Sequence, residues 1–554
     1  MGITLVDIAA TGAALISLTL LYLLNRRKNL NFLRGPEGDG YLLGVEYQLR
    51  TEQEVGDLTF KWAKEYGTTY RMPGCYGENI LATADPRALH YILHQNVVEY
   101  PTSSDVRRIF ELMFGRGVLW AVGDEHRKHR RVLSPAFSIN HMKTFSPIFQ
   151  KHVSHLADKW NTELAKGTQT LDVIPWFHKV TLDVIGESSF NYHFDALDNK
   201  PNELTETLRE LENLGASPSP ASVLIQASLR YIPSWFSNFQ HRYFPAPVEK
   251  IADRYLTMAC EKAREVMRES GLSLEGDSED EKAEEMVLTG KEKDVLSILV
   301  KANRAENPRK RLTEDEVLSQ MSTLIQAGHH TTGNSLAWII YEFSRHPEDQ
   351  EKIFKEIKAI RDKTGNNGEF MAQDYDSMEW LTVCVKEALR LHPVLPQLLR
   401  QAQYHDSIPL EFPVISSDGK TITEVPVKPG QQIRLDIAID VLLYRLESVW
   451  GPDANEWNPS RFLNERETEI SVQVGMTANI LSFSGGPKGC IGFRFALMEM
   501  HALLAGIIER FEFSLPEGID IKRANIGMMI PRVEPKDGPI QKEPKLPLNL
   551  RARV

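Results

Sequence analysis

The stretch Phe483-Ser484-Gly485-Gly486-Pro487-Lys488-Gly489-Cys490-Ile491-Gly492 constrains this chain more than any other feature. One cysteine is wrapped by glycines and a proline and is followed by a helical pattern. Glycines let a backbone pass close to a flat ligand and supply unusual φ angles. Backbone N–H groups near the sulfur, and the helix N-terminus beyond it, favour the ionised thiol. This is the setting a thiolate needs to ligate a haem iron, where it pushes electron density onto the metal and favours O–O cleavage. The plainer reading is a buried structural cysteine in a glycine-rich turn.

The stretch resembles the haem-binding loop of the cytochrome P450 family, Phe-x-x-Gly-x-Arg-x-Cys-x-Gly. Phe483, Gly486, Cys490 and Gly492 fall in register, and Lys488 stands where the family usually has arginine. A lysine still neutralises a haem propionate, as a point charge and not as a bidentate fork.

A second motif is Ala327-Gly328-His329-His330-Thr331-Thr332, inside the helical pattern Glu314–Arg345. The small pair Ala327-Gly328 lets a helix pass close to a flat cofactor. The sequence resembles the family's Ala/Gly-Gly-x-Asp/Glu-Thr-Thr/Ser. Thr331 matches the proton-delivery threonine, and His330 replaces the usual acid. Histidine also shuttles protons near neutral pH. His329 and His330 are adjacent, so on a helix they diverge by about 100° and do not both face the iron; a metal pair is not expected.

A third pattern, Glu387-x-x-Arg390, is weak alone, because Glu and Arg three apart on one helix face are common. It gains weight from Asn458-Pro459-Ser460-Arg461-Phe462, placed before Cys490. The resemblance implies a buried network of Glu387, Arg390 and Arg461 holding the proximal side of the haem pocket. Ser460 replaces the family's common acid, which leaves that turn less well pinned.

The fourth is His126-Arg127-Lys128-His129-Arg130-Arg131, similar to the family's Trp-x-x-x-Arg helix. Arg130 matches the propionate-binding arginine, and His126 sits where tryptophan is usual. Arg400, after Pro393 and Pro396, lies where a further propionate-binding arginine is frequent. The outward Arg127, Lys128 and Arg131 would form a basic patch suited to an acidic electron donor. Read alone, the run is a solvated basic face. Asp183-Val184-Ile185-Gly186 resembles a family helix with a packing role.

Ile8 through Leu24 carries no charge, and Arg26-Arg27-Lys28 follow at once. With Ile3–Val6 this run is long enough to span a bilayer. The basic flank holds the following domain in the cytosol by the positive-inside rule, whereas a cleaved signal would carry its charge before the apolar run. The reading is a membrane anchor over 1–28, a Gly/Pro turn-rich hinge over 29–45 and one catalytic domain over 46–554. Four scattered cysteines fit a reducing compartment, and the net charge of −11 gives no sign of nucleic-acid binding.

Apolar spacing predicts helices over Asp57–Tyr66, Phe145–Thr170, Phe177–Phe190, Glu203–Leu214, Val248–Ser270 and Glu314–Arg345. Strand character marks Thr68–Met72, Asn79–Ala84, Glu411–Val427, Gln432–Ile437 and Arg510–Leu515. Gly271–Lys293 reads as a solvated acidic loop. Gly215–Phe236 reads either as core packing or as a mobile lid whose apolar tip dips into the membrane. The expected fold is mainly α with small β-sheets, the cytochrome P450 fold with an N-terminal transmembrane helix.

The resemblance implies haem b (iron protoporphyrin IX) and a monooxygenase of the fungal microsomal type. Its implied setting is the endoplasmic reticulum membrane, single-pass, with the catalytic domain cytosolic. Electrons would come from NADPH through NADPH-cytochrome P450 reductase, with cytochrome b5 as a second donor. The segments expected beside the reacting centre are the Val106–Trp120 loop, the lid, Gln326, Ala327, Val394–Leu399 and Ile526–Ile530. They are largely apolar, so a small lipophilic substrate is expected, such as a terpenoid or other secondary metabolite. Two other readings stand beside this one: a haem-thiolate isomerase or dehydratase without external electrons, and a non-enzymatic haem-binding membrane protein.

Overall fold

Thr313 starts the element around which everything else is arranged. Its hydroxyl accepts from the Glu316 N–H, and the Glu316 carboxylate accepts from the Thr313 N–H at 2.7 Å, a reciprocal cap. The helix behind it runs unbroken over Glu314–Arg345, 32 residues, or about 48 Å. The computed structural model describes residues 29–215, 218–269, 294–364, 369–436, 450–463, 472–477, 480–534 and 543–553. The expected anchor over 1–28 and the acidic stretch Gly271–Lys293 lie outside the described residues. Among the described residues no helix is long and apolar enough to cross a membrane.

The central helix packs along Ile174–Phe190, and the two come close because of glycine. A Cβ on Gly328 would lie 2.7 Å from Ile185 Cδ1. The approach that Gly328 permits here is to Ile185 of the Asp183–Gly186 motif. Asp183 itself accepts from the backbone N–H groups of Ala196 and Leu197, as its packing role requires. The core continues through Trp160, whose ring meets Phe177, Phe511 and Phe513 edge-on at 5.6–6.0 Å. This joins the helix Ser146–Ala165 to a three-stranded sheet of Thr170–Asp172, Pro547–Ala552 and Phe511–Ser514.

A second sheet has four strands in the order Thr69–Pro73, Asn79–Thr83, Gln432–Leu435 and Leu398–Gln401. The middle pair is parallel and the outer pairs are antiparallel. Two hairpins complete the β structure, Asp406–Ile415 with Thr421–Val427 and Asp520–Asn525 with Met529–Glu534. The chain is thus mainly α with small sheets. Glu411–Val427, expected as one strand stretch, is a hairpin turned by a Ser416–Lys420 loop. Val106–Trp120, expected as a loop, is largely the helix Ser104–Phe114.

Residues 29–45, expected as a hinge, are anchored. Leu30 and Leu33 are buried in the core beside the four-stranded sheet. Arg34 accepts from the Arg71 N–H, and Asn79 donates to the Asn29 carbonyl. Two apolar side chains, brought together by a turn that the Leu33 N–H closes on Leu30 O, make this stretch an edge of the domain.

Candidate active site

The cysteine loop is built by backbone contacts. The Cys490 N–H donates to the Phe483 carbonyl at 2.9 Å, and Gly489 N–H to Gly486 O at 2.9 Å. Gly486 has φ +66°, and a Cβ there would lie 2.0 Å from the Leu93 carbonyl oxygen, so only glycine closes this turn. The helix Phe493–Ile508 starts immediately beyond, with Gly492 as its N-cap. Cys490 is deep among protein atoms yet its surface is accessible, which places it on an internal opening. Burial pushes the Cys490 thiol up, against the Gly492 N–H and the Arg130 charge. The backbone N–H groups and helix terminus expected to favour the ionised thiol are thus outweighed by burial, and a bound metal would favour the thiolate.

Three basic residues and a neutral histidine gather near this loop. Arg130 donates to the Gly489 carbonyl at 2.9 Å. Lys488 donates to Ala121 O at 2.8 Å. Burial, then Arg400 and Arg107, pull Lys488 down to about 7. Arg400 is buried, pulled down to about 10 by burial, and its Nε has no partner among the described residues. His126 is buried, and burial, Lys488, Arg130 and His129 hold it neutral, down to about 3. Neither Lys488 nor Arg400 has a carboxylate partner among the described residues, and both bond neutral carbonyls. Buried cations without an anion fit the propionates of a haem whose iron Cys490 would hold. Arg107, stacked on Trp120 at 4.3 Å, belongs to the set but carries no family signature that would have marked it in the sequence.

The outward basic residues are less free than their sequence suggests. Arg127 pairs with Asp124, Lys128 with Glu316 at 2.8 Å and Arg131 with Glu306 at 3.6 Å. The expected basic patch is therefore largely neutralised by carboxylates from its own helix and from the segments packed on it.

Within the central helix, Ala327, Gly328, His330 and Thr331 are half-buried, while residues 321–326 and 332–340 are buried. The interruption marks the part of the helix that faces open space. Thr331 donates to the Ala327 carbonyl at 2.7 Å. His329 is tied back to Ile325 O at 2.7 Å. The two histidine rings come to 3.7 Å of each other, closer than their divergent attachment suggested. His330 also meets His178 edge-on at 4.8 Å, and His178 bonds Asn334 at 2.7 Å. Burial, then His329 and His178, hold His330 well below the usual histidine range. His178 escaped sequence reading because it is 152 positions from His330. So did Glu499, fully buried on the helix beyond Cys490, whose carboxyl burial pushes well up, with Thr332 nearby acting the other way.

The walls beside this stretch are sewn to the central helix. Gln326 donates to Met113 O at 2.6 Å, and the Met529 N–H donates to Val394 O at 2.8 Å while Met529 O accepts from Trp338.

Glu387, Arg390 and Arg461 form the network expected of them. Arg390 grips both Glu387 oxygens at 2.6 and 2.8 Å, Arg461 reaches one at 3.0 Å, and all three side chains have zero exposure. The remaining guanidinium N–H groups go to the carbonyls of Trp450, Asp453, Ala454 and Glu456. The acid that Ser460 does not supply comes from Asp453, which binds Arg461 at 3.0 Å and Asn458 at 2.7 Å.

A mainly helical fold and an accessible, deeply placed thiol ringed by cations define a haem-thiolate class of protein. The cytochrome P450 family model matches residues 34–538. Cytochrome P450 monooxygenase 205 of Postia placenta is 33% identical over 532 residues, covering 92% of this chain and 91% of that protein. Cytochrome P450 monooxygenase 81 of the same fungus is 31% identical over 92% of each. Cytochrome P450 monooxygenase claU of Ampulloclitocybe clavipes is 28% identical over 97% of this chain and 95% of that protein. The chain belongs to the cytochrome P450 family and is a monooxygenase of that family, which implies haem.

Proposed function

We propose that this chain is a membrane-anchored monooxygenase that inserts one oxygen atom from O2 into a small lipophilic substrate. A terpenoid or other secondary metabolite is the substrate class it suits. NADPH electrons would reach it through a membrane-bound reductase, with cytochrome b5 as a second donor. The observation that carries this reading is Cys490, accessible on an internal opening among Arg130, Arg400, Lys488 and His126. Haem bound there supplies the oxygen activation. Cys490 would be its axial ligand, the cations would hold its propionates, and Phe483 and Gly492 would shape the loop against it. Glu387, Arg390 and Arg461 would hold the segment before the loop.

Thr331 and His330 would move protons. The Thr331 hydroxyl donates to Ala327 O at rest, and by rotating off that carbonyl it would accept from one side and donate to the other. His330 is neutral, and a neutral imidazole passes a proton by gaining one at one nitrogen and losing one at the other. His330→Ala is expected to lower product formed per NADPH about tenfold, with His330→Asp restoring it. Because His330 titrates well below neutrality, this ratio is expected to stay flat between about pH 6 and 8. Unchanged coupling in His330→Ala would refute the relay.

The apolar surface supports an orientation on the bilayer of the endoplasmic reticulum. Trp235 and Phe244 are each 71% exposed and Ile225 65%. Val223 and Ala227 are buried against a cluster that includes Leu43 and Tyr76, and Tyr41 and Leu42 beside it are exposed. The lid segment therefore both packs and presents an apolar face, as an interfacial element does. Turnover in microsomes carrying the full chain and a diflavin reductase tests the whole reading. A product gaining one oxygen only with NADPH supports it, and conversion without NADPH refutes it.

A further inference from the structure

Arg230 lies between the two lid helices, Pro220–Ser228 and Ser234–Tyr243, and its side chain is 3% exposed. It binds three carboxylates at once. Its Nη1 and Nη2 take the two Glu46 oxygens at 2.8 and 2.7 Å, its Nε takes Asp105 at 2.8 Å, and Nη1 reaches Glu78 at 3.3 Å. Side-chain exposure of these acids is 9%, 0% and 6%. They belong to three separate elements: the helix Glu46–Thr51, the helix Ser104–Phe114 and the turn before the strand Asn79–Thr83. Arg50, half-buried, is the other cation near Glu46 and Asp105.

We propose that Arg230 is the clasp that holds the lid closed over the substrate entrance. This rests on the reading that the open space beside Ala327 receives substrate. The helix Ser104–Phe114 is one wall of that space, because Gln326 and Thr323 of the central helix bond its Met113 and Phe114 carbonyls. Asp105 starts this wall and Arg230 sits at the middle of the lid, so their contact fixes one against the other. Elsewhere the first lid helix and the turn after it are held by a small apolar cluster around Val223 and Ala227, the Tyr76 hydroxyl on Leu224 O and the Tyr76 ring on Tyr231, while the second helix is held by Arg108 on Asn238, Gln240 on Glu249 and His241 on Asp253. A planar guanidinium spans three acids in one plane, which an ammonium does not. A charge cluster this buried is rigid while complete and loosens as a unit when one member is lost. Arg230 thus acts as a positioning residue for substrate entry, apart from the chemistry at Cys490.

The test uses the full, haem-loaded chain with Arg230→Lys and Asp105→Asn. Two ligands of ferric haem are compared by stopped flow, imidazole and the bulky clotrimazole. Amide hydrogen exchange is followed over residues 220–233. Both variants are expected to bind clotrimazole about tenfold faster and to exchange 220–233 about tenfold faster, with imidazole rates unchanged. Clotrimazole rates and exchange within about twofold of the parent in both variants would overturn the clasp. The hydrogen exchange decides the clasp on its own. Absence of any imidazole-induced spectral shift in the parent would instead refute the haem-pocket reading.

Discussion

Replacing Glu387 with alanine is expected to yield no haem-loaded protein. Glu387 bonds Arg390 through both oxygens, and it also takes Arg461 and the Asn458 N–H. All three charged side chains have zero exposure. Removing one partner of such a set leaves uncompensated buried charge, at a cost of about 3–5 kcal/mol. That is a large fraction of the roughly 5–15 kcal/mol that keeps a domain folded. The segment it holds, Trp450–Arg461, leads towards the cysteine loop. Glu387→Gln keeps the shape but removes the charge that both guanidiniums share, so it is expected to fail nearly as badly. Asp453→Asn is expected to be mild, about 1 kcal/mol, because that carboxylate is 28% exposed. The ratio of haem to protein absorbance in the soluble fraction reads all three. Glu387→Ala protein with a full complement of haem would overturn the structural role given to the network.

Changing Lys488 to methionine is expected to have opposite effects with and without haem. In the haem-free chain burial, and then Arg400 and Arg107, work against the Lys488 charge, which has no carboxylate partner among the described residues. Deleting its charge relieves that repulsion and should raise the melting temperature of the haem-free protein. In the loaded protein the same change removes a propionate partner. Haem affinity is expected to fall about tenfold, or about 1.4 kcal/mol. Haem removal from the parent should cost far more, about 4 kcal/mol where haem stands a thousandfold above its dissociation constant. Thermal melts of parent and Lys488→Met, each with and without haem, give the four values. A variant that destabilises both states equally would mean Lys488 is a packing residue and not a propionate partner.

Much of this site could be read in the sequence because its chemistry depends on local spacing. Cys490 with its glycines, Glu387 three before Arg390, and Thr331 after a small pair each sit in one short stretch. The central helix was legible to the residue, since its apolar periodicity runs over Glu314–Arg345. What was missed is what only folding brings together. Asp453 takes over for the acid that Ser460 is not, and His178 meets His330 across two helices. Arg230 finds Glu46 and Asp105 from 184 and 125 positions away. The free basic face was misjudged for the same reason: Glu316 and Glu306, which neutralise Lys128 and Arg131, are distant in sequence. Gly/Pro content over 29–45 reads as a hinge, but burying Leu30 and Leu33 ties its first part to the domain.

The central claim is that Cys490 is the thiolate ligand of a haem iron. The carbon monoxide spectrum of the dithionite-reduced full chain tests it most directly, with Cys490→His prepared alongside. The account predicts a thiolate-type carbonyl band in the parent and a nitrogen-ligand band in the variant. A nitrogen-ligand band from folded, haem-loaded parent protein, or a thiolate-type band that survives in Cys490→His, would contradict it.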